Sequence, residues 1–111
     1  MASKIKVAKG RVNVFADLGL PDPDKHFLKA QIVSEIYRSA NARKLTQVQI
    51  GKVLSITQPE VSRMFKGNLR EYSLDRLMGF LTAFDQDVEI VARPHKKPGK
   101  SGRIIFTTTA A

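Results

Sequence analysis

The chain contains no cysteine, which excludes disulfides, thiolate nucleophiles and every cysteine-based zinc or iron site and suits a reducing compartment. No stretch approaches the about 20 apolar residues that cross a bilayer, and the N-terminal MASKIKVAKG is basic without the apolar run of a signal peptide. A cytoplasmic, nucleoid-associated protein is expected. Aromatic residues are few, at 7%, and no exposed stacking set of the kind RNA-binding modules use stands out. Also missing are a nucleophile beside a base, paired carboxylates at a helical step and a glycine-rich phosphate loop, and 111 residues leave little room for a pocket. No catalysis, no cofactor and no metal site are expected. The Asp85, Asp87, Glu89 cluster reads as a solvated face, and His26 and His95 as surface residues.

What the chain does have is charge, unevenly placed. The formal net charge is +9. Residues 1–11 hold four bases (Lys4, Lys6, Lys9, Arg11) and residues 93–111 hold five (Arg93, Lys96, Lys97, Lys100, Arg103), with no acid in either. The intervening body is neutral overall but divided. Residues 43–70 carry six bases (Arg43, Lys44, Lys52, Arg63, Lys66, Arg70) against Glu60, whereas residues 71–92 carry five acids against Arg76. A basic internal segment beside an acidic one makes a sided molecule, and the basic side invites polyanions.

Length and a 42% hydrophobic content fit one small globular domain. The expected organisation is a basic tail over 1–11, a domain over 12–93 and a second basic tail over 94–111. Within the domain, NVFADLGLPDP is an apolar, irregular lead-in. Asp22 can cap a helix with Pro23 at its first position. Leu28, Ile32 and Ile36 then recur at four-residue steps, with Val33, Tyr37 and Ala40 beside them, which predicts a buried helical stripe to about Ala42. Ser73 caps LDRLMGFLTAF, whose Leu74, Leu77, Met78, Leu81 and Phe84 form another. DVEIVAR alternates Val88, Ile90 and Ala92 against Asp87, Glu89 and Arg93, interrupted by Val91, and reads as a strand, which needs a partner: its own copy in a dimer, another chain, or the tail RIIFTTT.

The centre of the chain carries the functional signal. In LTQVQIGKVLSITQPEVSRMFKG, Thr46 precedes Gln49 by three residues and Thr57 precedes Glu60 by three, so two capping boxes open two short helices. Only Ser55 and Ile56 separate Leu54 from Thr57, which forces a sharp turn. Ile50, Leu54, Ile56, Val61 and Met64 can meet inside that corner. Gly51 sits where a larger side chain would obstruct the second helix, and Gly67 is the expected left-handed cap. Val48, Val53 and Phe65 fall off the core positions and are expected to form a second packing face, against the first helix or the N-terminal lead-in.

A helix held on such a turn, with small polar residues at its N-terminus and cations around it, suits the DNA major groove. Gln58 has the amide that reads adenine, Arg63 can read guanine or reach a phosphate, Pro59 offers a methylene face to thymine, and Ser62 lies between them. Glu60 can accept from cytosine, although its capping box ties it to the backbone. Gln47, Thr57, Lys52, Lys66, Asn68 and Arg70 are candidates for phosphate contacts.

LTQVQIGKVLSITQPEVSRMFKGN resembles the lambda-repressor-like, Cro/XRE-type helix-turn-helix. With NVFADLGLPDPD, YSLDRLMGFL and DVEIVARP it is also similar to compact XRE regulators that act as antitoxins beside HigB/RelE-type toxins. The resemblance implies an all-α, lambda-repressor-like domain of about five helices with a short C-terminal strand. It further implies a homodimeric repressor of its own operon, on a two-fold symmetric double-stranded operator, with a toxin as a second partner. The alternative is a protein-interaction module that mainly sequesters a toxin, with weak DNA binding. Ser55 departs from the family pattern, which usually places glycine in this turn.

Overall fold

The computed structural model describes residues 22–97, 99 and 102–109, and among these the regular structure is four helices. The first, α1 (Asp22–Ala42), begins one residue ahead of the expected N-terminal boundary. Its stripe of Leu28, Ile32, Val33, Ile36 and Ala40 is buried. It stops at a turn in which Lys44 takes a positive φ of 56° and Leu45 N–H donates to Ala40 O at 3.1 Å.

Next come α2 (Gln47–Leu54) and α3 (Gln58–Phe65), and both predicted capping boxes are formed. Gln49 N–H donates to Thr46 Oγ1 at 3.2 Å, and Thr46 N–H donates back to Gln49 Oε1 at 2.8 Å. The pair at Thr57 and Glu60 repeats these distances. Each box satisfies amides that a helix start leaves without intrahelical partners. Gly67, with φ 97°, ends α3, and Asn68 N–H closes the turn onto Arg63 O at 3.0 Å. The last helix, α4 (Leu74–Ala83), starts from the predicted Ser73 cap, whose Oγ accepts from Arg76 N–H at 3.3 Å.

The corner between α2 and α3 is the tightest part of the fold. Ser55 is left-handed, at φ 61° and ψ 40°, and Ile56 N–H donates to Gly51 O at 2.9 Å. A Cβ added at Gly51 would stand 2.5 Å from Ile56 O, so only glycine lets the turn close. Because Ser55 is strained in a region glycine enters freely, Ser55→Gly is expected to stabilise the domain by about 1 kcal/mol. A thermal melt should rise by about 4–8 °C; an unchanged or lower midpoint would show that Ser55 is not strained.

The core forms where α1 lies across α4 and α3, with α2 against α3 and α4. Ile50, Leu54, Val61, Met64, Leu77, Leu81 and Phe84 all point into it, each burial contributing about 1.5–3 kcal/mol. Three members stand outside the stripes read from the sequence. Leu69 and Tyr72, in the loop between α3 and α4, are buried, and Phe80 meets Tyr72 edge-on at 5.8 Å between ring centroids. Lys29 lays its stem through the core to donate from Nζ to Leu69 O at 3.3 Å. Behind α1, buried Glu35 accepts from Arg38 and from Gln86, which also donates to Ser39 Oγ at 2.6 Å. The Arg38 guanidinium, first among the causes, holds the Glu35 carboxyl below the usual carboxylate range.

Two expectations are corrected here. Four helices, not five, are present among the described residues. The predicted strand does not form either: residues 87–93 carry no regular structure, and no backbone hydrogen bond joins them to the described tail residues 102–109. An alternating sequence makes a ladder only when a second strand meets its amides, and the described residues supply none. Val88 instead packs on the core, as Phe106 does from the tail, while Ile90 and Val91 remain 65% and 71% exposed.

Candidate nucleic-acid interface

The two faces of α3 part as the spacing predicts. Val61 and Met64 press inward at 0% exposure, and Gln58, Pro59 and Arg63 lie on the exposed face, with Ser62 and Glu60 half-exposed at its edge. Phe65 anchors the far end of α3: its ring meets Tyr37 of α1 edge-on, 5.1 Å between centroids at 89°. The expected second packing face thus holds for Phe65. Val48 and Val53 find no such cover among the described residues and remain exposed.

The corner brings the first residues of α2 and α3 together. Gln58 Nε2 donates to Gln47 Oε1 at 2.6 Å. From the sequence these glutamines take separate roles, base and phosphate; the signal for their pairing is that each directly follows a capping threonine. The bond uses one amide proton of Gln58. Its second proton and its carbonyl oxygen remain, which is the donor–acceptor pair that fits adenine N7 and N6. Gln47 therefore fixes the χ angles of Gln58 before any ligand arrives, which lowers the ordering cost of a base contact.

Glu60 is less free. Its Oε1 accepts from Thr57 N–H at 2.8 Å, and that backbone bond is the first cause holding its carboxyl below the usual range. The charged carboxylate is thereby tied to the helix start. Lys52, Lys66, Asn68, Arg70 and Thr57 are all exposed on or beside the two helices, and Gln47 is half-exposed. Neither described ion pair, Glu35–Arg38 or Arg43–Asp85, draws on these cations. Arg43, by contrast, though exposed, is engaged by contacts within the chain. It donates to Phe84 O at 2.9 Å and to Asp85 at 3.0 Å, with its guanidinium over the Phe84 ring. Among the described residues no group of acids and histidines could hold a metal ion, and no helix is long and apolar enough to cross a membrane.

An exposed helix, capped and braced at both ends, set on a glycine-dependent corner and edged by cations that enter no ion pair among the described residues, defines a helix-turn-helix. The family model for a helix-turn-helix domain matches residues 14–93, and the chain belongs to that family. It is of the XRE type: a solved chain designated an XRE-family transcriptional regulator is 31% identical and superposes with a TM-score of 0.75, over 80% of this chain and 100% of that one. No curated protein matches.

Proposed function

We propose that this XRE-type helix-turn-helix protein is a DNA-binding transcriptional regulator, a repressor that reads the major groove with α3. The observation that carries the reading is the Gln58–Gln47 bond at the exposed start of that helix. It holds an adenine-reading amide in place amid cations that enter no ion pair among the described residues. Gln58 and Arg63 are assigned to base edges, with Pro59 and Ser62 beside them; Glu60 joins them with one oxygen already given to the cap. Gln47, Thr57, Lys52, Lys66, Asn68 and Arg70 are assigned to the phosphates.

The regulator acts as a homodimer whose copies pair through residues 87–93. Support comes from the exposed Ile90 and Val91 and from backbone groups there that no described bond satisfies. The operator then has two-fold symmetry, with half-sites about 10 bp apart and recognition helices about 34 Å apart. Autoregulation beside a HigB/RelE-type toxin rests on the resemblance of the sequence to such antitoxins.

Selection of bound sequences from a random duplex pool tests the reading. An enriched inverted repeat of that spacing is expected, bound by two chains in sedimentation. No enriched sequence would remove the base-reading role, and tight binding of one chain to one half-site would remove the dimer. Copurification of a small basic protein would add the toxin partner.

A further inference from the structure

We propose that Arg76 of α4 is a phosphate-binding residue, whose guanidinium grips the DNA backbone at the wall of the groove that α3 enters. In the sequence Arg76 is the one base among the five acids of residues 71–92. The fold takes it out of that acidic company. Its guanidinium carbon lies 5.0 Å from the centre of the Tyr72 ring and 5.5 Å from that of Phe80, and the two rings meet edge-on at 5.8 Å. A cation at this range is attracted to a ring face. Tyr72 and Phe80 are buried members of the core, so the platform is rigid, whereas Arg76 itself is exposed. Stacking uses the flat face of a guanidinium and leaves its edge of N–H donors outward. Among the described residues no hydrogen bond and no ion pair uses that edge.

The stack stands beside the recognition helix. The Glu60 carboxyl, tied first of all to Thr57 N–H, also feels the charges of Arg76 and Arg63. Burial comes first in raising the Tyr72 phenol, and the charges of Glu60, Glu71, Arg76 and Arg63 all reach it. Arg76 therefore joins Glu60 and Arg63 along one flank of α3. An α-helix with its side chains is about 10–12 Å across, and the major groove is about 12 Å wide. α3 alone fills that width, so a group standing at its flank from another helix meets the phosphate wall and not the bases. Without Arg76 that flank would oppose the phosphates with Glu60 and Glu71. Arg76 supplies the opposite charge, in a fork that fits two phosphate oxygens. The rings also fix the side chain beforehand, so little rotamer freedom is lost on contact. Resting on the DNA-binding reading, this contact adds α4 to the two helices already assigned to the duplex.

A methylphosphonate placed at one backbone position at a time removes one charge from the selected operator and locates each contact. The wild-type protein should lose affinity at a phosphate where Arg76→Met loses none, because methionine keeps an apolar stem on the rings and drops the charge. Arg76→Met should also weaken operator and random duplex alike and lower the dependence of log K on log salt by about 0.9. Arg76→Lys should restore both that dependence and the loss at that phosphate. A salt slope and methylphosphonate profile equal to the wild type's would overturn the proposal, since a role confined to packing moves only the melting temperature. So would a lower slope with an unchanged profile, which makes Arg76 no more than a counter-charge to Glu60 and Glu71. If Arg76→Met fails to fold, Arg76→Gln is read by the same criteria. Lys52→Ala and Lys66→Ala serve as references on the same duplexes. Phosphates lost by them and none by Arg76→Met sink this assignment alone, whereas no selected sequence and no lost phosphate in any variant sinks DNA binding with it.

Discussion

Gln58→Ala should weaken binding to the selected operator by about 1–3 kcal/mol, roughly 5- to 150-fold, and relax base preference at one position of each half-site. Arg63→Ala should cost a similar amount at a neighbouring position. Binding to random duplex should hardly change, because the phosphate contacts that supply it come from other side chains. Lys52→Ala and Lys66→Ala are the opposite case. Each should weaken all sequences alike and lower the dependence of log K on log salt by about 0.9. The hydrogen bond between Gln47 and Gln58 sharpens the prediction. If Gln47 holds the reading amide, a double-mutant cycle should show a coupling of about 0.5–3 kcal/mol on the operator and none on random duplex. Fluorescence anisotropy on both duplexes measures all of this. Equal losses on the two duplexes for Gln58→Ala would remove its base-reading role.

Most of the helix-turn-helix could be read from the sequence because its determinants are local. Thr46 with Gln49, and Thr57 with Glu60, satisfy amides three residues away, so the sequence alone places both helix starts. Gly51 and Ser55 are equally local, since the turn is closed by Ile56 N–H on Gly51 O and by one left-handed residue. Stripes at three- and four-residue steps gave the inward faces of α1, α3 and α4 for the same reason.

What was not legible depends on contacts between distant residues. Leu69 and Tyr72 lie in a loop with no period, and only the approach of α1 and α4 buries them. Arg43 counts as a surface cation in the sequence, yet the C-terminal end of α4, 41 residues on, captures it through Phe84 O. Glu35 looks like a solvent-facing helical residue until Gln86 reaches it across 51 residues. The segment 87–93 has the sequence pattern of a strand without forming one, because alternation reports which residues want burial, and not whether a partner strand meets them. Val88 meets that want by packing on the core, and Ile90 does not.

Met64→Ala should cost about 2–5 kcal/mol, the largest stability loss expected for a single site tied to the recognition helix. Met64 is at 0% exposure on the inner face of α3, so truncation leaves a cavity beneath the helix that the neighbouring core can fill only in part. A domain of this size holds stability toward the low end of about 5–15 kcal/mol, so the variant forfeits a large share of it. Guanidinium unfolding should show a lower midpoint with an unchanged slope, and the melting temperature should fall by about 10–30 °C. The outward face is a different matter. Gln58 is held by its cap and by Gln47, one turn or more away from Met64, so the folded variant at low temperature should still prefer the same operator sequence. A loss under about 1 kcal/mol would mean that α3 is not closely packed on the core. A changed base preference in the folded variant would mean that the cavity reaches the reading face, and that Gln47 and the cap do not suffice to set it.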